Sequence, residues 1–212
     1  MKLPRTPSFS LSGRSALVTG AGRGIGVAAA AALAEVGANV LLTARTKSEI
    51  DEVRSAIEKA GGTARSQVLD VTNQDHVREV INSEGPFDVV VNNAGMNRPA
   101  LALDVTEADY DEVMQLNVKA TYFVAQAVTR SMIDSGIAGS IINVSSQLGH
   151  VGAQRRTVYS ASKHAIEGFS RSLAWEVGKH GIRVNTLCPT FVETPMTRPM
   201  LSEPDFMEWV LS

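Results

Sequence analysis

The sequence predicts an α/β fold, a doubly wound parallel sheet with helices on both faces, and three features carry that expectation. Short apolar runs of strand length alternate with longer segments of helical period. The runs are apolar at successive positions rather than every second one, as strands covered on both faces require. The first junction between the two patterns is glycine-rich: TGAGRGIG, Thr19 to Gly26.

Taken in order, SALVTG (Ser15 to Gly20) is a buried strand, and GVAAAAALAEVG is an alanine-rich helix ended by Gly37. NVLLTA is the second strand. Thr46 and Glu49 then stand at capping-box spacing before a helix whose Ile50, Val53 and Ile57 share a face, closed by Gly61 and Gly62. Strand, helix and strand follow again in ARSQVLDV, DHVREVINSEG and FDVVVNNAG. One long helix is expected from about Thr106 to Asp134, leading into the strand SIINVSS. The helix that carries Tyr159 extends to about Lys179, and IRVNTLCP supplies one more strand. Without linker, repeat or low-complexity tract, residues 1–212 form a single domain on this pattern.

Charge and composition exclude several classes. With 20 basic against 22 acidic residues, a net charge of -2 and no long run of either sign, nothing calls for nucleic acid or a membrane surface as partner. The single cysteine, Cys188, excludes an internal disulfide framework and suits a reducing compartment. The N-terminal MKLPRTPSFS lacks a signal-like apolar core, and no apolar run nears bilayer length, so a cytoplasmic protein is expected. His76, His150, His164 and His180 are scattered, none at metal-ligand spacing with Cys188 or a carboxylate, and no metal is expected.

The glycine loop follows a strand and opens a helix. There Gly20, Gly24 and Gly26 allow a tight turn and close approach to a pyrophosphate, while the helix start offers free amides and the positive end of its dipole. A second signal is YSASK. Tyr159 and Lys163 are four apart in a helical segment, hence neighbours, and a fixed positive charge beside a phenol favours the phenolate. Such a tyrosine can exchange a proton near neutral pH.

Together TGAGRGIG, NNAG (Asn92 to Gly95), Asn117 in LNV, the serine in INVSSQLG and YSASK resemble, in order and spacing, the single-domain short-chain dehydrogenase/reductase family. The similarity covers about Gly13 to Met200. It implies a Rossmann-type dinucleotide-binding fold and hydride transfer between a nicotinamide cofactor and a carbonyl or secondary alcohol. It also implies Tyr159 as acid/base, Lys163 lowering its pKa and reaching the nicotinamide ribose, and Ser146 polarising the carbonyl, with Ser145 as competitor. Asn117 would hold a backbone kink and a water linking Lys163 to solvent. Cofactor contacts would come from Gly20, Gly22, Arg23, Gly24, Ile25 and Gly26 in the first loop, and from Asp70 and Val71 after the third strand. Asn93, Ala94 and Gly95 follow the fourth strand, and Pro189, Thr190 and Thr194 the sixth.

Ala44 stands where the family's NAD-type members carry an acid, followed by Arg45 and Lys47. With Arg23 these suit a ribose 2′-phosphate, so NADP(H) is expected over NAD(H); the alternative is that Arg45 and Lys47 are solvated helix-start residues. Pro189-Thr190 replaces the family's usual Pro-Gly, and the family continues past Ser212 with a helix and a final strand. Residues 190–212 would be a substrate lid, or else a short helix whose Phe191, Met196, Met200, Phe206, Met207 and Trp209 make core contacts. The polar run Gln147, His150, Gln154, Arg155 and Arg156 suggests a hydroxylated or anionic substrate, of keto sugar acid or 3-oxoacyl type. A non-catalytic dinucleotide sensor, or an inactive truncated relative, is the alternative. Surplus apolar residues on the two long helices (Met114, Tyr122, Phe123, Phe169, Leu173, Trp175) predict a homodimer, extended to a homotetramer through the family's C-terminal segment.

Overall fold

The structure, a computed structural model, describes residues 8–211; the first seven residues and the side chain of Trp209, both invoked above, lie outside the described residues. Six strands form one all-parallel sheet: β1 (Ser15–Thr19), β2 (Asn39–Ala44), β3 (Thr63–Val68), β4 (Val89–Asn92), β5 (Ser140–Val144) and β6 (Arg183–Leu187). Their order across the sheet is β3-β2-β1-β4-β5-β6. The order reverses between β1 and β4, which opens a crevice at the carboxyl ends of the strands.

Side chains of a strand alternate between faces, and in the four inner strands, β1, β2, β4 and β5, both faces are buried. Ala16, Val18, Val40 and Leu42 pack beneath α1 (Ile25–Glu35) and α2 (Lys47–Lys59). Leu17, Leu41, Val90 and Ile141 point the other way, under α3 (Gln74–Glu84), α5 (Thr121–Asp134) and α6 (Thr157–Val177). This explains why the strands are apolar at successive positions. At the edge, β6 keeps Val184 in the core while Arg183, Asn185 and Leu187 on its other face are exposed.

Two local expectations are corrected. The long helix is not uniform: α4 (Glu107–Met114) passes into a π-helical segment, Gln115–Ala120, before α5. Asn117 lies in that segment, which widens the helix where its amide turns to the loop after β4. The capping box at Thr46 does not form. Thr46 is the N-cap but its hydroxyl makes no cap bond, and the Glu49 carboxylate turns instead toward Gly22, where an added Cβ would meet Oε2 at 2.7 Å. Beyond β6 the chain forms α7 (Arg198–Leu201) and α8 (Pro204–Leu211). Among the described residues no helix is long and apolar enough to cross a membrane.

Candidate active site

The loops leaving all six strands line one cleft of about 270 Å³. Gly20, Gly22, Arg23, Gly24 and Ile25 form its floor after β1; Arg45 follows β2, and Asp70 and Val71 follow β3. Asn93, Ala94 and Gly95 come from β4, Ser145 and Ser146 from β5, and Pro189, Thr190 and Thr194 from beyond β6. Tyr159 and Lys163 reach in from α6. Gly26 and Asn117 stand behind this wall and shape it. Thus the residues expected to serve catalysis and to hold the dinucleotide lie in or directly against one cavity.

The floor is built for close approach of a ligand. Gly20 has φ of +62°, a conformation that side chains other than glycine strain to adopt. A Cβ on Gly26 would lie 2.3 Å from the Gly20 carbonyl oxygen, so only glycine lets the helix start pack there. Asn93 ties the two sides of the switch point together, its Nδ2 donating to Thr19 O and Gly20 O, both at 3.0 Å. The Thr19 hydroxyl accepts from the backbone of Asn93 and Ala94 at 3.0 and 3.1 Å. The amides at the start of α1 face a cradle that a Cβ would fill, so the residues present fit a dinucleotide pyrophosphate.

Around the ribose end, Arg23 and Arg45 are exposed and, among the described residues, neither guanidinium has an ion-pair partner. Lys47 is spent on its own helix, paired with Asp51 at 2.6 Å. Asp70 accepts from the Thr72 amide at 2.9 Å and its hydroxyl at 2.7 Å. Burial works to raise its carboxyl, but these bonds and the Arg45 charge outweigh it, and the group stays below the usual range. Glu49 also lines the cleft. No sequence pattern marked it, because Glu three residues after a helix-start threonine is explained by capping.

At the other end, the Ser146 hydroxyl accepts from the Leu148 amide at 3.1 Å and, across the cleft wall from the Tyr159 phenol, favours its ionised form. Ser145 points the opposite way, its hydroxyl 3.5 Å from the Lys163 carbonyl oxygen and on the side of Glu167, whose carboxyl it helps to lower. The geometry separates the two serines: Ser146 meets the tyrosine. Lys163 is fully enclosed, donates to the Val144 carbonyl at 2.8 Å, and holds its Nζ 5.5 Å from the Tyr159 ring centroid. Burial pushes the Lys163 amine down to about 8. Burial likewise raises the Tyr159 phenol, while Ser146 and the Arg156 charge pull it back. Without a ligand the phenol is therefore less acidic than the Tyr/Lys spacing suggests, because burial outweighs the groups that favour the phenolate. Asn117, wholly buried, clamps the β4 loop: Oδ1 accepts from Met96 N at 2.9 Å, and Nδ2 donates to Met96 O at 2.9 Å and Ser162 Oγ at 3.1 Å.

A buried amine whose pKa falls from 10.5 to about 8 costs stability wherever it must carry its charge. Between those values the unfolded chain binds more protons than the folded one, so this contribution to stability rises with pH; below about 8 the penalty is complete. At about 1.4 kcal/mol per unit the penalty is roughly 3 kcal/mol. Lys163→Met, free of cofactor, is accordingly expected to be more stable than the unmodified chain at pH 7, the gap closing as pH rises toward 10.5. Denaturant unfolding at both ends of that range measures it; a gap that ignores pH contradicts it.

A strand-end cleft with a glycine floor, a helix N-terminus and a Ser/Tyr/Lys cluster is that of a dinucleotide-dependent oxidoreductase. Comparison with known proteins identifies the group. The family model described as short chain dehydrogenase matches residues 14–205, and the chain belongs to that family. Among curated relatives it is 38% identical over 206 residues to gluconate 5-dehydrogenase of Gluconobacter oxydans, covering 95% of this chain and 80% of that protein. It is 39% identical over 194 residues to a 3-oxoacyl-acyl-carrier-protein reductase of Thermotoga maritima, covering 90% and 78%. A solved gluconate 5-dehydrogenase from Burkholderia cenocepacia, in complex with NADP and tartrate, superposes with a TM-score of 0.90 at 33% identity, covering 95% of this chain and 80% of that one. The chain is an NAD(P)-dependent oxidoreductase acting on keto or alcohol groups of small molecules.

Proposed function

We propose that this chain uses NADP(H) to interconvert a keto group and a secondary alcohol on a small anionic polyol, a keto sugar acid ahead of a 3-oxoacyl thioester. The observation that carries the substrate reading is Arg156. Its guanidinium is half-buried beside Tyr159 and, among the described residues, has only the Arg155 carbonyl oxygen at 3.0 Å and the Met200 sulfur at 2.7 Å as hydrogen-bond partners. Burial and the neighbouring Arg155 push its pKa down, a cost that a substrate carboxylate would relieve. The names of the gluconate dehydrogenases among the relatives point the same way.

Gly20 to Ile25, Asn93 to Gly95 and Lys163 would hold the dinucleotide, whose nicotinamide would supply or accept the hydride at the substrate carbon. Ser146 and Tyr159 donate hydrogen bonds to the carbonyl oxygen, where negative charge develops, and Tyr159 passes its proton to it. Lys163 keeps a positive charge under the ring and stabilises the phenolate left behind. Asn117 fixes the loop and Ser162 around it. Residues 190–212 act as the lid: Phe191 packs edge-on against Phe206, ring centroids 5.4 Å apart, and Met196 and Met207 stay exposed rather than entering the core. Nicotinamide absorbance with NADPH or NADH against keto sugar acids, the matching neutral keto sugars and 3-oxoacyl thioesters tests the reading. The acids should turn over best and with NADPH; preference for the neutral sugars or the thioesters would remove Arg156 from recognition. The sensor alternative ends with turnover of any of them.

Assembly follows from α5 and α6. Trp175 is 90% exposed and Tyr122 45%, and Phe169, Leu173 and Ile133 line the groove between the helices. A homodimer through this face is expected to appear in sedimentation at micromolar concentration. A monomer would mean that these side chains face water.

A further inference from the structure

We propose that His150, Glu167 and Cys188 form a site for a transition-metal dication of the zinc class, outside the nucleotide cleft. The sequence scatters these residues, but the fold brings them together. Period-two alternation sends Thr186 and Cys188, at and just beyond the end of β6, to the α6 side of the sheet. Tyr159, Lys163 and Glu167 recur every four residues on the α6 face turned to the sheet end, so Glu167 sits one turn from Lys163. A short 3-10 turn, Gln147–Gly149, then delivers His150 from above.

The distances suit one ion. Cys188 Sγ lies 3.2 Å from Glu167 Oε1 and 3.5 Å from His150 Nε2, and His150 Nε2 lies 3.7 Å from Glu167 Oε1. Zinc bonds of about 2.0–2.3 Å at tetrahedral angles set neighbouring ligand atoms roughly 3.3–3.6 Å apart. The three groups are thus already close to three corners of a tetrahedron. Glu167 is arranged to use one oxygen only: Oε2 accepts from the Thr186 hydroxyl at 3.1 Å and from Arg171 at 3.4 Å, leaving Oε1 to the cluster. The Thr186 bond orients the carboxylate as supporting groups orient metal ligands elsewhere. Glu167 is buried while the His150 side chain is 47% exposed, so the fourth corner is open to water.

The electrostatics agree with this placement. The Cys188 thiol donates toward Glu167 Oε1 at 3.2 Å, so its proton occupies the space between the two ligand atoms. A dication replaces that proton: the thiol ionises, the proton leaves to solvent, and no atom changes oxidation state. Thiolate with imidazole and a single carboxylate oxygen favours zinc or cobalt over magnesium or calcium, which take oxygen ligands.

Titration of the full, cofactor-free chain with Co²⁺ tests the site. One ion per chain should bind, giving tetrahedral visible bands and a thiolate-to-cobalt charge-transfer band, and Zn²⁺ should displace it. Cys188→Ala should lose the charge-transfer band, and His150→Ala should weaken binding by at least about tenfold, the smaller loss typical even of supporting groups. Retained NADP⁺ binding shows that each variant is folded. Absence of the thiolate band from the unmodified chain, or equal affinity in His150→Ala, would overturn the proposal.

Discussion

Tyr159→Phe is expected to reduce turnover by about 10²–10⁴-fold, the contribution typical of a positioned proton donor, while leaving cofactor affinity unchanged. The substitution deletes one oxygen from a ring that is already enclosed. Its neighbour Ser146 is held independently by the Leu148 amide at 3.1 Å, so the serine stays in place. Lys163 keeps its bond to the Val144 carbonyl and its place beneath the ring. The glycine floor and the Asn93 clamp lie across the cleft and are untouched. Loss should therefore fall on kcat, with cofactor titration by nicotinamide fluorescence giving the same Kd. Turnover within a few-fold of the unmodified chain would take Tyr159 out of the mechanism.

Arg45→Asp should invert cofactor choice. An arginine fork on a 2′-phosphate is a charge-assisted contact of about 1.5–3 kcal/mol, and an aspartate in its place repels the phosphate while accepting from a bare ribose hydroxyl. The ratio of kcat/KM for NADPH to that for NADH should fall by about 10²-fold or more. Glu49 sharpens the argument, for its carboxylate already lines the same cleft near Gly22 and opposes a phosphate. Arg23 and Arg45 outnumber it, and Lys47 is withdrawn by Asp51. If the unmodified chain prefers NADH, Glu49 outweighs the two arginines.

Where these residues stand was legible in the sequence to very different degrees. The four inner strands could be found because burial on both faces forces contiguous apolar runs, and the cofactor floor because only glycine tolerates the approach of Gly26 to Gly20. Ser146 and Ser145 could not be told apart by composition. They are separated by the chain direction after β5, which aims one at the Tyr159 phenol and the other at Glu167. The π-helical widening at Asn117 was hidden because helix-forming residues continue straight through it, and the cause is tertiary: the amide pairs with both backbone groups of Met96. Thr46 and Glu49 matched a capping box, yet the carboxylate turns to the glycine loop, a neighbour invisible from local spacing. For the same reason His150, Glu167 and Cys188 carry no ligand spacing in sequence and meet only after β5, α6 and β6 align.

The proposed reaction is direct hydride transfer to a carbonyl carbon whose oxygen is protonated from Tyr159. The most direct measurement is to run the reduction of a keto sugar acid in ordinary water with NADPH deuterated at the transferable C4 position, and to locate the label in the product by NMR. Deuterium is expected on the new carbinol carbon, with the hydroxyl hydrogen drawn from solvent, and labelled product in Tyr159→Phe lower by the same factor of about 10²–10⁴ over the same time. Product formed with only solvent hydrogen on that carbon would contradict it.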